Sequence, residues 1–111
     1  YARWKADRVV AEVNQGGAMV KTVLAQVDPM LPVTAVYASR SKAARAEPVA
    51  ALYEQGRVAH VAGMEALEAQ MCLMTPEGFV GGGSPDRVDA LVWALSELML
   101  SAKAPPRVRS L

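Results

Sequence analysis

The chain has 111 residues, 52% hydrophobic and 21% charged, with a formal net charge of +1: enough for one domain with a real core, too short for two, and without a bulk electrostatic case for nucleic acid or against it. The single cysteine, Cys72, excludes an internal disulfide and a multi-cysteine zinc site and fits a reducing cytoplasm. No apolar run approaches the roughly 20 residues that span a bilayer, and the opening YARWKADR lacks the apolar segment of a signal peptide.

Tyr1–Asp7 reads as the last turn or two of a helix feeding a strand, as in a piece cut from a longer chain on its N-terminal side. In Arg8–Gly17, RVVAEVNQGG, the residues Val9, Val10, Ala11 and Val13 form a short β-branched run, the pattern of a strand buried on both faces. Asn14-Gln15-Gly16-Gly17 then turns the chain. Met19, Val20, Val23, Leu24 and Val27 follow at helical spacing as one apolar face, and Asp28-Pro29 ends the helix because proline has no N–H to continue the ladder. Val33–Tyr37 predicts a second strand, parallel to the first with a right-handed crossover.

Ser39–Glu47 is a basic, small-residue segment that opens a helix at Ser41 or Lys42. Pro48 is expected to kink or delay that helix; Val49, Leu52 and Tyr53 supply its buried face, and Gly56 terminates it. Arg57–Val61 reads as a brief strand or extended crossing. Met64–Leu73 is a further helix with Met64, Leu67 and Met71 on one face. Thr75–Ser84, with four glycines and a proline, reads as a flexible loop. Ser84 as N-cap, Pro85 at N1 and Asp86 in the first turn then predict the best-defined helix, burying Val88, Leu91, Val92, Leu95, Leu98 and Met99. Residues 101–111 read as a flexible basic tail, and no internal repeat is visible.

Two carboxylate positions carry the chemistry. Glu12 sits inside an apolar strand, and an ionised carboxylate there costs several kcal/mol unless a cation or hydrogen-bond donors meet it. The plain alternative is that Glu12 marks the exposed side of an edge strand, or pairs with Arg8 or Lys5. Asp86 and Asp89 share a face at a helix N-terminus, where the plain alternative is complementation of the helix dipole. Taken together, a strand-end Glu and a helix-start Asp beside glycine-rich turns are expected to converge at one end of a parallel sheet. Oxygen-only clusters of that kind suit Mg²⁺ or Mn²⁺ and not zinc. Arg40, Lys42 and Arg45 at a helix start are candidates for DNA phosphate contact or a solvated helix face. His60 reads as a packed or surface histidine. Trp4, Trp93 and Tyr37 read as core or half-buried, Met64, Met71, Met74 and Met99 as core, and Cys72 as a small hydrophobe.

RVVAEVNQGG, the VKTVL helix, SRSKAARAEPVAALYEQGRVAHV and SPDRVDALVWAL, in this order and spacing, resemble the C-terminal nuclease domain of the large terminase subunit, the DNA-packaging motor of tailed bacteriophages and gene transfer agents. The resemblance covers about Trp4 to Leu100. It implies an α/β, RNase H-like fold over residues 1–100, a mostly parallel sheet flanked by helices and lacking its first strands. It also implies a carboxylate cluster for two divalent metals that cuts concatemeric double-stranded DNA in the host cytoplasm. The implied partners are the terminase ATPase domain, the small terminase subunit and the portal.

Of the three acids of such a cluster, the first would precede this chain. The second maps onto Glu12, and the third onto Asp86, with Asp89 as an auxiliary ligand or helix-face acid. Serine stands at position 84, where some relatives carry a histidine near the metals, so no histidine ligand is assigned. Gly16-Gly17 lacks the Gly-Lys-Ser/Thr pattern of a phosphate-binding loop. Two metals about 3.5–4 Å apart activate a water and stabilise the leaving 3′ oxygen; two acids hold such a pair poorly, so the chain alone is expected to cut weakly or not at all. The alternatives are a phosphate- or nucleotide-binding module at the glycine turn and an RNase H-like domain used only for docking.

Overall fold

In the computed structural model, which describes residues 1–14 and 16–100, Val9–Glu12 form strand β1 and Val33–Val36 strand β2, paired in parallel from Val9↔Val33 to Glu12↔Val36. The pairing runs past the strands at both ends: Val9 N–H donates to Pro32 C=O at 2.8 Å and Val13 N–H to Val36 C=O at 3.0 Å. Helix α1, Gly17–Val27, is the crossover between them, as the β-turn-α-β reading of the sequence requires. Asp28 caps it: its N–H still reaches Leu24 C=O, and its side chain accepts from Met30 N–H at 2.9 Å. Ahead of β1, the helical ending expected for Tyr1–Asp7 is a 3-10 turn, Ala2–Trp4.

The chain divides by packing into two compact units, Tyr1–Ser41 and Lys42–Leu111. Within the first unit, α1 does not bury the whole apolar set read from its spacing. Val20 and Leu24 are half-buried, whereas Met19, Val23 and Val27 are exposed. Trp4, 77% exposed, and Tyr37, 68% exposed, are likewise surface residues and not the core or half-buried residues expected.

The second unit is built on three helices. Helix α2, Lys42–Glu54, begins at Lys42 and continues past Pro48, which is exposed. It closes on Gly56: Arg57 N–H donates to Leu52 C=O and Gly56 N–H to Tyr53 C=O, both at 3.0 Å, the paired 6→1 and 5→2 bonds of a Schellman ending. Residues 57–61 have no regular secondary structure, so the brief strand expected there is not formed. Helix α3, Glu65–Cys72, follows, and then two short strands, β3 (Met74–Thr75) and β4 (Gly78–Phe79). Part of the expected flexible loop is therefore a hairpin. A Pro76-Glu77 connection of two residues permits only antiparallel pairing, here Met74↔Phe79 and Thr75↔Gly78. Among the described residues the sheets are thus two-stranded, one parallel and one antiparallel, and the mostly parallel sheet expected from the sequence is not established.

Helix α4, Asp86–Leu95, passes into a π-helical turn, Ser96–Leu100. Val49 of α2 and Val88 and Val92 of α4 form the buried centre, with Ala46, Tyr53, Leu67, Met71, Met74 and Leu95 packed around it. Leu98, expected on the buried side, is exposed, because the π turn shifts the residue phase away from the α-helical face. Cys72, read as a small hydrophobe, is exposed at the end of α3. No helix among the described residues is long and apolar enough to cross a membrane. The basic tail assigned to residues 101–111, and Gln15 of the glycine turn, lie outside the described residues.

Candidate functional site

Glu12 is the last residue of β1 and is exposed. What holds this strand end in place is Asn14, two residues on. Its Nδ2 donates to Ala38 C=O at 2.7 Å and its Oδ1 accepts from Ala38 N–H at 2.6 Å. A side-chain amide presents the same donor–acceptor pair as a peptide, so Asn14 adds one rung to the parallel ladder where the backbone has turned away. The turn beyond it needs its glycines: Gly16 has a φ of +63°, and a Cβ on Gly17 would stand 3.1 Å from Val13 Cβ. The end of β1 and the start of α1 are thereby pressed together behind Glu12.

The second unit carries the two aspartates. Asp86 opens α4, exposed, and no ion pair engages its carboxylate among the described residues. Asp89 differs. It is 14% exposed and accepts an ion pair from Arg45 Nη1 at 2.9 Å, with Lys42 Nζ at 3.6 Å. The Arg45 side chain is 11% exposed, and its guanidinium also lies over the Trp93 ring, 4.8 Å from its centroid. Arg45 therefore bridges from α2 to two α4 residues one helical turn apart.

The N-terminus of α4 has no side-chain cap of its own. Ser84, expected as N-cap, instead accepts a hydrogen bond from Lys42 Nζ at 3.1 Å, and Pro85 takes the cap position with its C=O bound by Asp89 N–H at 2.9 Å. The orphan Val88 N–H is met from α3, by Gln70 Oε1 at 3.0 Å. Sequence reasoning missed Asn14 and Gln70. Neither stands beside the acids in a recognisable motif spacing, although Asn at a strand end is a familiar turn residue.

Of the basic candidates, Lys42 and Arg45 face Asp89, while Arg40 is exposed in the connection before α2. The signal was present in the spacing: Lys42, Arg45, Val49 and Leu52 share one helix face, and Val49 and Leu52 are buried. His60 is packed as expected. Its Nδ1 lies 2.9 Å from the Glu68 carboxylate and its Nε2 2.8 Å from Tyr53 Oη. The neutral tautomer with the proton on Nδ1 satisfies both, donating to Glu68 and accepting from Tyr53. Burial first, and the negative charge of Glu68 second, hold the Tyr53 hydroxyl above the usual tyrosine pKa.

A divalent cation calls for carboxylate oxygens not already neutralised. Asp86 fits, and Glu12 offers the right donor at a strand end; Asp89, with its charge met by two cations, does not fit as it stands. No group of three or more metal-ligating side chains is assembled among the described residues. Glu12 belongs to the first unit and the two aspartates to the second.

Searches of curated proteins and of solved structures give no match. The profile of the terminase RNaseH-like domain matches residues 1–98, from ahead of β1 into the π turn after α4. The chain thus belongs to the terminase RNaseH-like domain family, a nuclease-type domain.

Proposed function

We propose that this chain is the metal-dependent endonuclease domain of a DNA-packaging terminase, cutting concatemeric double-stranded DNA, with Glu12 and Asp86 as its metal-binding carboxylates. The observation that carries the reading is the contrast on α4: among the described residues Asp86 stands exposed without an ion pair, while Asp89 one turn deeper is consumed by Arg45 and Lys42. When bound, Mg²⁺ or Mn²⁺ activates water for in-line attack on a phosphodiester and screens the charge that develops there. The protein's part is to aim the two carboxylates. Asn14 fixes the strand end that carries Glu12, and the contacts around α4 fix the turn that carries Asp86. Of the three basic candidates at the start of α2, Arg40 is the exposed one and is the proposed phosphate contact. The ATPase domain, the small terminase subunit and the portal are the partners that accompany such a domain.

Calorimetric titration of Mn²⁺ tests the metal site. Glu12→Gln or Asp86→Asn each weakens binding at least tenfold, and an unchanged affinity in both variants removes the chemical basis of the reading. Nicking of supercoiled plasmid by the chain is expected to be weak, metal-dependent and abolished by chelation.

A further inference from the structure

The basic residues of α2 have no place in the nuclease chemistry, yet the structure spends them on one helix turn. Asp86 is bracketed. Two residues before it, Ser84 Oγ accepts from Lys42 Nζ; three residues after it, Asp89 accepts from Arg45 and Lys42. Between the brackets, Gln70 of α3 holds Val88 N–H, and Asp86 N–H itself donates to Ser84 C=O at 2.9 Å. Arg45 is clamped on its other side by Trp93. A planar guanidinium that pairs with a carboxylate and stacks on a ring has little rotational freedom, and an ammonium cannot reproduce that geometry. A turn tied down on both flanks and from two neighbouring helices cannot fray as an ordinary exposed helix end does.

We propose that Arg45, Lys42 and Gln70 are positioning residues for the first turn of α4, and that Asp89 is the anchor they hold and not a metal ligand. Their purpose is to fix the direction in which Asp86 projects, which rests on the nuclease reading of Asp86. The basic cluster then acts on the metal site through the helix and not by touching DNA. Outer contacts of this kind are worth about 10- to 100-fold in metal affinity where they have been removed from other sites.

The test uses the 111-residue chain with Arg45→Gln, Arg45→Lys, Gln70→Ala and Asp89→Asn, read by amide hydrogen exchange without metal and by Mn²⁺ affinity. Arg45→Gln and Gln70→Ala are expected to speed exchange at residues 86–89 at least tenfold while leaving the amides of α1 unchanged, and to weaken Mn²⁺ about tenfold. Arg45→Lys recovers part of both. Asp89→Asn falls no further than Arg45→Gln, since both remove the same tie. A fall in Mn²⁺ affinity at Asp89→Asn well beyond that of Arg45→Gln makes Asp89 a ligand and overturns the proposal. Unchanged exchange at residues 86–89, with affinity for a DNA duplex reduced instead, makes the cluster a DNA contact and also overturns it. Should the unsubstituted chain bind no Mn²⁺, the nuclease reading of Asp86 fails, while the exchange measurement still decides whether α2 and α3 hold the turn.

Discussion

Two aspartates on one helix, three residues apart, have opposite surroundings. Asp86 keeps its charge for solvent or a cation, and Asp89 gives its charge to Arg45 and Lys42. Removing one partner of a shielded ion pair leaves the other desolvated, a loss of about 3–5 kcal/mol when the pair is fully buried. Arg45 and Asp89 retain slight exposure, so Asp89→Ala is expected to destabilise the second unit by about 2–3 kcal/mol in urea unfolding, whereas Asp86→Ala costs under about 0.5 kcal/mol. Asn14 makes a comparable point in the first unit. Asn14→Ala frees both polar groups of Ala38 to water and costs about 1 kcal/mol. Asn14→Asp costs at least as much, because a second oxygen then faces the Ala38 carbonyl; equal urea midpoints for the three proteins would refute the added rung. The acids themselves were legible from an apolar strand ending in Glu and a helix opening in Asp. Their partners were not, because a pairing across helices depends on which faces meet. Lys42 and Arg45 could have been placed on the buried face from their spacing with Val49 and Leu52, but nothing local ties Gln70 to Val88 N–H.

At the scale of elements, glycine content alone misled. The stretch Thr75–Ser84 reads as mobile, yet Gly81 is there because Phe79 and Leu73 crowd it. A Cβ at Gly81 would come within 2.5 Å of Phe79 Cζ and 3.0 Å of Leu73 Cδ1, while at Gly82 it would meet nothing within 4 Å. Gly81→Ala should therefore lower stability by about 1–3 kcal/mol as overpacking does. Gly82→Ala should stay within about 0.5 kcal/mol, and thermal unfolding of the pair distinguishes crowding from a general need for flexibility.

The connection through residues 57–61 is likewise held by more than its backbone, through the chain Tyr53–His60–Glu68. Tyr53 binds its proton more tightly in the folded chain than in the unfolded one. Its contribution to stability is fully present below the ordinary tyrosine value of about 10 and is lost as the pH rises through the raised value. Urea midpoints from pH 9 to 11.5 should fall more steeply for the unsubstituted chain than for Tyr53→Phe, and parallel slopes would rule out this linkage.

For the whole molecule, the parallel β-α-β opening, the helix through Lys42–Glu54 and the terminal helix follow from periodicity and from proline and glycine punctuation. What periodicity cannot give is which side of an apolar helix is covered: Met19, Val23 and Val27 lie on α1 at the spacing of a buried stripe and are exposed. The antiparallel hairpin escaped notice because strands of two residues carry no alternation to read. Family membership rests on a profile match over residues 1–98, and it converts a list of separate acids into a nuclease reading.

The most direct measurement is a titration of Mn²⁺ into isotopically labelled chain, followed by paramagnetic broadening of backbone resonances. Amides around Glu12 and amides around Asp86 are each expected to broaden at low metal concentration, with Glu12→Gln and Asp86→Asn each abolishing the broadening around the substituted residue. Broadening at one of the two sets alone, or at neither, contradicts the assignment of Glu12 and Asp86 as metal-binding carboxylates.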